Sequence, residues 1–216
     1  MIKLFFGRTE CGKSYLAELL SKKQKKVIFY DYAHCFTQGE IVNDFSTMNF
    51  VYLLKKYGGS KNLNKKFSLI FRKPDLMTHE VGAEKVSYFV KMLGLSYGYR
   101  KLTGSDMLTF LVDEADKVIS LKSSDLIRLT AQAGRHENIA LWAISQRPMK
   151  LHPDIRDNAH EIYAFPVGKN KIYEETFGKK ISTELADNKF PKYHYYYYNE
   201  NGVIKKINKN GKEVRR

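Results

Sequence analysis

Two cysteines, Cys11 and Cys35, are all that 216 residues contain. They cannot build a disulfide framework, and they point to a reducing compartment. The six histidines show no metal-ligand spacing with them, which excludes a structural zinc module. No apolar run approaches the length that crosses a bilayer. The opening Met1–Phe6 is too short for the core of a signal peptide. These absences set the expectation of a soluble, intracellular chain without a membrane anchor. Internal repeats and low-complexity linkers are also missing. Acid is scarce: 23 Asp and Glu stand against 37 Lys and Arg, a formal charge of +14. An excess of this size fits a polyanionic partner whose phosphates are neutralised by Lys and Arg.

Hydrophobic residues make up 43% of the chain, enough for one compact domain spanning 1–216, with a hairpin and basic tail from about 190. Short apolar runs predict strands at Ile2–Phe6, Val27–Tyr32, Phe67–Arg72, Met107–Val112, Ile139–Ser145 and Ile162–Val167. Helical spacing or composition predicts helices at Ser14–Leu20, Asn49–Tyr57, Glu80–Leu95, Ser124–Ala133 and Lys171–Phe177. Tyr193–Tyr198 and Val203–Ile207 flank Asn199-Glu200-Asn201-Gly202, a hairpin signal. Strands alternating with helices imply an α/β fold with a mainly parallel sheet flanked by helices, plus a small C-terminal β-hairpin.

Gly7-Arg8-Thr9-Glu10-Cys11-Gly12-Lys13-Ser14 follows the first strand and opens the first helix. It matches G-x-x-x-x-G-K-[ST], the phosphate loop of P-loop NTPases. Glycines let backbone N–H groups curl around phosphate oxygens, and the following helix aims its positive end at them. Lys13 is placed to reach the β- and γ-phosphates of ATP and Ser14 to ligate Mg²⁺. The apolar run Leu108–Val112 ends in Asp113-Glu114. Asp113 suits Mg²⁺ support and Glu114 suits polarising the attacking water. Asp113-Glu114-Ala115-Asp116 also spells DEAD, which reads as coincidence, because a two-lobed helicase needs a second domain. The run Ala140–Ile144 leads to Ser145-Gln146-Arg147-Pro148. Gln146, with both donor and acceptor, suits the γ-phosphate or the lytic water. A further cation is needed on the transferring phosphoryl. Arg135 is the first candidate and Arg147 the second, donated from a neighbouring subunit.

The run Gly134-Arg135-His136, then Ile144-Ser145-Gln146-Arg147-Pro148, then His152-Pro153-Asp154-Ile155-Arg156-Asp157-Asn158-Ala159, resembles the FtsK/HerA superfamily of DNA-pumping ATPases. Within it, the chain is most similar to genome-packaging ATPases of tailless, internal-membrane-containing icosahedral viruses. The resemblance implies a single RecA-like core, a ring (usually a hexamer), Mg-ATP, and double-stranded DNA passing through the centre. It implies a place in the host cytoplasm or at the packaging vertex of the virion, beside capsid-vertex or membrane proteins. By position it gives Lys13 and Ser14 to Walker A, Asp113 and Glu114 to Walker B, Gln146 to the sensor, and Arg135 to the arginine offered across the interface. Glu10 and Cys11 depart from the usual loop fillers.

Three basic stretches are candidates for DNA: Lys55, Lys56, Lys61, Lys65 and Lys66; Tyr99-Arg100-Lys101; and Lys205, Lys206, Lys209, Lys212, Arg215 and Arg216. Each also reads as an ordinary solvated surface. The tyrosines at 193 and 195–198 suit base stacking, or equally a strand with one face buried and the other exposed. The rival functions are a phage assembly or export ATPase of the same superfamily, a nucleotide or small-molecule kinase, and a DNA-binding module that uses ATP as a switch.

Overall fold

A computed structural model describes residues 1–42, 46–58, 66–72, 107–119, 138–167, 171–187 and 189–214. The predicted helices at Glu80–Leu95 and Ser124–Ala133 lie outside the described residues. So do Arg135, Lys61, Lys65, Tyr99-Arg100-Lys101, Arg215 and Arg216.

The strands are β1 (Ile2–Phe6), β2 (Lys26–Tyr30), β3 (Glu40–Val42), β4 (Phe67–Phe71), β5 (Leu108–Val112), β6 (Ile139–Ser145), β7 (Glu161–Ala164), β8 (Tyr195–Asn199) and β9 (Ile204–Ile207). They form one sheet in the order β3-β4-β2-β5-β6-β1-β7-β8-β9. The strands from β3 to β7 run parallel, and the β8–β9 hairpin joins β7 antiparallel. This is the mixed α/β P-loop NTPase fold expected. The hairpin continues the sheet rather than standing apart from it.

Parallel strands covered on both sides read as continuous apolar runs, and every residue of β2, β5 and β6 is buried. Successive side chains point to opposite faces. Leu4, Phe6, Ile28, Phe110, Val112 and Leu141 pack one core face. Phe5, Phe29, Leu111, Trp142 and Ile144 pack the other. Full burial of each such side chain contributes roughly 1.5–3 kcal/mol before the ordering entropy is subtracted. Helix α1 (Lys13–Ser21) covers the second face through Leu16, Ala17 and Leu20. Helix α2 (Thr47–Gly58) buries Leu53 against the first face, and α3 (Ala115–Val118) is a single turn after β5. Helices α4 (Pro153–Asp157), α5 (Lys171–Phe177) and α6 (Lys179–Ala186) also add Ile155, Tyr173, Phe177, Ile181 and Leu185 to the first face. Among the described residues, no helix is long and apolar enough to cross a membrane.

The tyrosine run departs from both sequence readings. Tyr195 and Tyr196 are buried, and Tyr197 and Tyr198 are half-buried. Alternation sends Tyr195 and Tyr197 to the ring of Tyr163, and Tyr196 and Tyr198 to Phe190 and Phe177. Both faces of β8 are covered, so these four rings belong to the fold.

Candidate nucleotide site

Strand order makes the site. β6 lies between β1 and β5. Its last residue Ser145 pairs with Phe6, while Val112, the end of β5, pairs with Ala143. Gln146 is therefore delivered between the phosphate loop that leaves β1 and the acids that leave β5.

The loop is pinned at its base. The Gly7 N–H donates to Ser145 O (3.3 Å) and the Arg8 N–H to Pro166 O (2.9 Å). These two N–H groups anchor the loop to β6 and the end of β7 and so are not open to a ligand. Gly7 is glycine because an added Cβ would come within 2.6 Å of Phe165 Cβ. Gly12 caps α1 in the left-handed conformation (φ 101°), and a Cβ there would meet Tyr193 Cδ1 at 2.8 Å. Lys13 is buried. Its Nζ donates to Arg8 O (2.6 Å) and lies 3.7 Å from Cys11 Sγ. The first turn of α1 carries N–H groups with no intrahelical acceptor, a donor set that suits an anion.

Thr9, Glu10, Lys13, Ser14, Cys35, Asp113, Glu114 and Gln146 line one pocket of about 230 Å³. The residues singled out by the two motifs and the sensor strand thus converge. Gln146 links them. Its Oε1 accepts from Thr9 Oγ1 (3.0 Å) and its Nε2 donates to Glu114 Oε1 (3.3 Å). Glu114 sits in the left-handed region (φ 45°), and its Oε2 is ion-paired with Lys117. The Lys117 ammonium also lies 4.6 Å from the centre of the Tyr32 ring. Asp116 has a structural job beyond spelling: its Oδ1 accepts from Ser145 Oγ (2.8 Å), which in turn accepts from the Arg147 N–H (3.0 Å). The acidic turn and the end of β6 are tied together. The Arg147 side chain is exposed.

The residues that were not foreseen sit on the loop after β2. The Asp31 Oδ2 accepts from Arg72 Nε (3.1 Å) and Nη2 (2.8 Å), and its Oδ1 accepts from the Cys35 N–H (2.8 Å). Glu18 of α1 takes three donors from Thr37 and Gln38. These two buried carboxylates bolt the loop down and bring the Cys35 thiol 3.5 Å from Asp113 Oδ2. Desolvation pushes the thiol well above the ordinary range, with Asp113 adding to it, so it acts as a neutral donor. Burial likewise raises Asp113, and neighbouring Glu114 adds to the rise.

The ligand atoms of Asp31, Cys35 and Asp113 lie within 4.8 Å of one another. Asp31 is already matched by Arg72, and a thiol is a poor ligand for a hard cation. Asp113 and the Ser14 hydroxyl, which share the pocket with the phosphate loop, are the oxygen donors that fit Mg²⁺. A buried carboxylate disfavoured as an anion by its surroundings gains from such a cation.

The basic stretches are partly spent. Lys205 pairs with Glu213 (2.9 Å), Lys206 pairs with Glu184, and Lys56 pairs with Glu40 (3.7 Å). Lys55, Lys66, Lys209 and Lys212 are exposed.

No protein-family model matches the chain. No curated protein matches it either. Solved structures do. The genome packaging NTPase B204 from Sulfolobus turreted icosahedral virus 2, in complex with AMPPCP, aligns with a TM-score of 0.69 at 18% identity, over 100% of this chain and 98% of that one. B204, the DNA-packaging ATPase from Sulfolobus turreted icosahedral virus, gives a TM-score of 0.66 at 18% identity, covering 99% and 98%. VirB4 of Thermoanaerobacter pseudethanolicus gives 0.68 at 11%, covering 95% and 88%. At these identities the likeness establishes the fold, and it does so along essentially the whole of each chain.

Proposed function

We propose that the chain is an Mg-dependent ATPase of the FtsK/HerA superfamily. It works as a ring, most simply a hexamer, that drives double-stranded DNA into a viral capsid. The observation that carries the reading is the convergence of Lys13, Ser14, Asp113, Glu114 and Gln146 in one pocket. The fold that carries them is shared end to end with viral genome-packaging NTPases.

In this reading the helix N-terminus and Lys13 hold the triphosphate, Lys13 exchanging the Arg8 carbonyl for phosphate oxygens. Ser14 and Asp113 are the residues that would hold Mg²⁺, which would supply neutralisation of the triphosphate's charge. Glu114 takes a proton from the attacking water. Gln146, already bonded to both Thr9 and Glu114, couples the γ-phosphate position to the base. A kinase reading fits less well, because the described lining of this pocket offers no arginine for a phosphate-clamping lid.

The test is ATP turnover with and without double-stranded DNA, on material whose oligomeric state is measured alongside. DNA stimulation that appears with ring assembly is expected. Turnover indifferent to DNA in assembled rings would sink the motor reading. In the same assay Lys13→Ala loses nearly all turnover, and wild-type rates in that variant would overturn the phosphate-loop assignment.

DNA affinity is expected to fall steeply with salt and to depend little on sequence, since a motor grips each stretch of duplex through its phosphates. Titrations of two unrelated duplexes between low and moderate salt check this. A sequence preference that survives high salt contradicts it.

A further inference from the structure

A cleft of about 860 Å³ opens beside the phosphate loop. Its walls are Tyr15, Leu16 and Leu19 of α1 on one side and Phe165, Tyr193 and Tyr195 on the other. The turn Asn208–Gly211 forms its rim. The cleft is continuous with the phosphate loop: Gly12, Tyr15 and Tyr193 also line the smaller pocket that contains Lys13 and Ser14. A ligand with a phosphate end in the loop and a flat apolar end would fill both.

Tyr193 stands apart from the other hairpin tyrosines. Tyr195 to Tyr198 are packed into the sheet, whereas Tyr193 is 44% exposed, and Tyr15 across from it is 70% exposed. Tyr193 adopts φ 63°, a left-handed conformation that bulky residues avoid. Strain of this kind persists only where the surroundings or a function hold it. Here it lays the ring against Gly12, where no Cβ fits, and Lys192 Nζ lies 5.2 Å from the ring centre. The polar groups of the rim are partly used up: Asn208 Oδ1 accepts from the Asn210 N–H (2.9 Å) and the Lys212 N–H (3.0 Å).

We propose that this cleft seats the purine base of a nucleoside triphosphate, stacked on Tyr193 and selected by ring area rather than by hydrogen bonds to the base edge. This deepens, and rests on, the nucleotide-binding reading of the phosphate loop. Two consequences follow. Adenine and guanine nucleotides bind within about tenfold of each other, because the apolar walls discriminate weakly between purine rings, the polar groups of Asn208, Lys209 and Asn210 lying on the turn at the rim. A pyrimidine nucleotide binds less tightly, having less surface to stack.

Binding of Mg-ATP, Mg-GTP, Mg-CTP and inorganic tripolyphosphate is measured on the full chain and on Tyr193→Gly, Tyr193→Phe and Lys13→Ala. Glycine accepts φ 63° without strain, so Tyr193→Gly removes the ring and leaves the backbone at ease, as thermal melting verifies. Tyr193→Gly is expected to lose about tenfold or more in affinity for ATP and GTP and to bind tripolyphosphate as before. Tyr193→Phe should retain wild-type affinities. Equal loss for tripolyphosphate would make Tyr193 a support of the phosphate loop and overturn the base seat. So would unchanged ATP affinity in Tyr193→Gly, including the case where only DNA binding weakens. A preference for ATP over GTP of a thousandfold would overturn recognition by stacking. If wild type binds neither ATP nor tripolyphosphate, or Lys13→Ala binds both normally, the phosphate-loop reading fails and the base seat falls with it.

Discussion

Glu114→Gln is expected to bind Mg-ATP as tightly as wild type and to hydrolyse it about 10²–10⁴-fold more slowly, the range attributed to a positioned general base. The substitution is close to isosteric. Gln146 Nε2, which now donates to Glu114 Oε1, keeps an acceptor if the new amide presents its oxygen there. What is lost is the ability to take a proton, together with the ion pair to Lys117. That pair is partly exposed on the lysine side, and Lys117 keeps the face of Tyr32, so the fold loses little. In the proposed mechanism Asp113 would still hold the cation and Lys13 the phosphates, so binding and chemistry are expected to separate. Equilibrium binding of ATP and single-turnover hydrolysis on the same preparation decide the matter. Turnover within a few-fold of wild type, or binding lost along with it, contradicts the division of labour between the two acids.

Much of this site was legible because it lies where strands end. An apolar run that stops at a glycine loop, at Asp113-Glu114 or at Gln146 announces both its burial and its polar terminus, and a parallel sheet gathers such termini along one edge. The same logic applied to the run that ends at Tyr30-Asp31 flags Asp31. Its role depends on Arg72, whose position beside it comes from the pairing of β2 with β4, 41 residues away in sequence. Cys35 reads as an isolated thiol until Asp31 and Glu18 are seen to fold its loop toward Asp113. Strand β3 escaped because it has three residues, two of them exposed, and no period to read. Helix α6 escaped because Gly178 looks like the end of α5. That glycine instead takes φ 82° between two helices, and Ile181 and Leu185, four apart and buried, were the available signal. The tyrosine run misled because alternation in an inner strand feeds two cores at once.

Arg135→Ala is expected to bind ATP normally and to hydrolyse it about 10³–10⁵-fold more slowly, with a defect that is shared between subunits. The pocket's lining and phosphoryl-transfer chemistry together support the proposal that a further cation comes from outside the pocket. Among the described residues lining it, Lys13 is the only one with a cationic side chain. Charge spreads over the transferring phosphoryl in the transition state, and phosphoryl-transfer enzymes commonly add an arginine to the lysine and the metal ion there. Arg147 adjoins Gln146 and is exposed at the end of β6, on the site's own subunit. Arg135 precedes the other end of that strand. Ile139, where β6 begins, pairs with Leu108, and the seven residues to Ser145 span about 20 Å toward the phosphate loop. Arg135 stands four residues before Ile139 in sequence, at the position that the superfamily resemblance gives to the arginine offered across the interface. Mixing Arg135→Ala with Lys13→Ala subunits tests donation in trans. Each variant lacks a different half of the composite site, so some mixed interfaces regain both, with intact Arg135 facing intact Lys13. Activity that returns on mixing supports the proposed ring. No return in assemblies shown to contain both variants, or full activity from isolated monomers, rejects it. An Arg147→Ala variant that loses as much turnover and is rescued on mixing in the same way would move the assignment to Arg147.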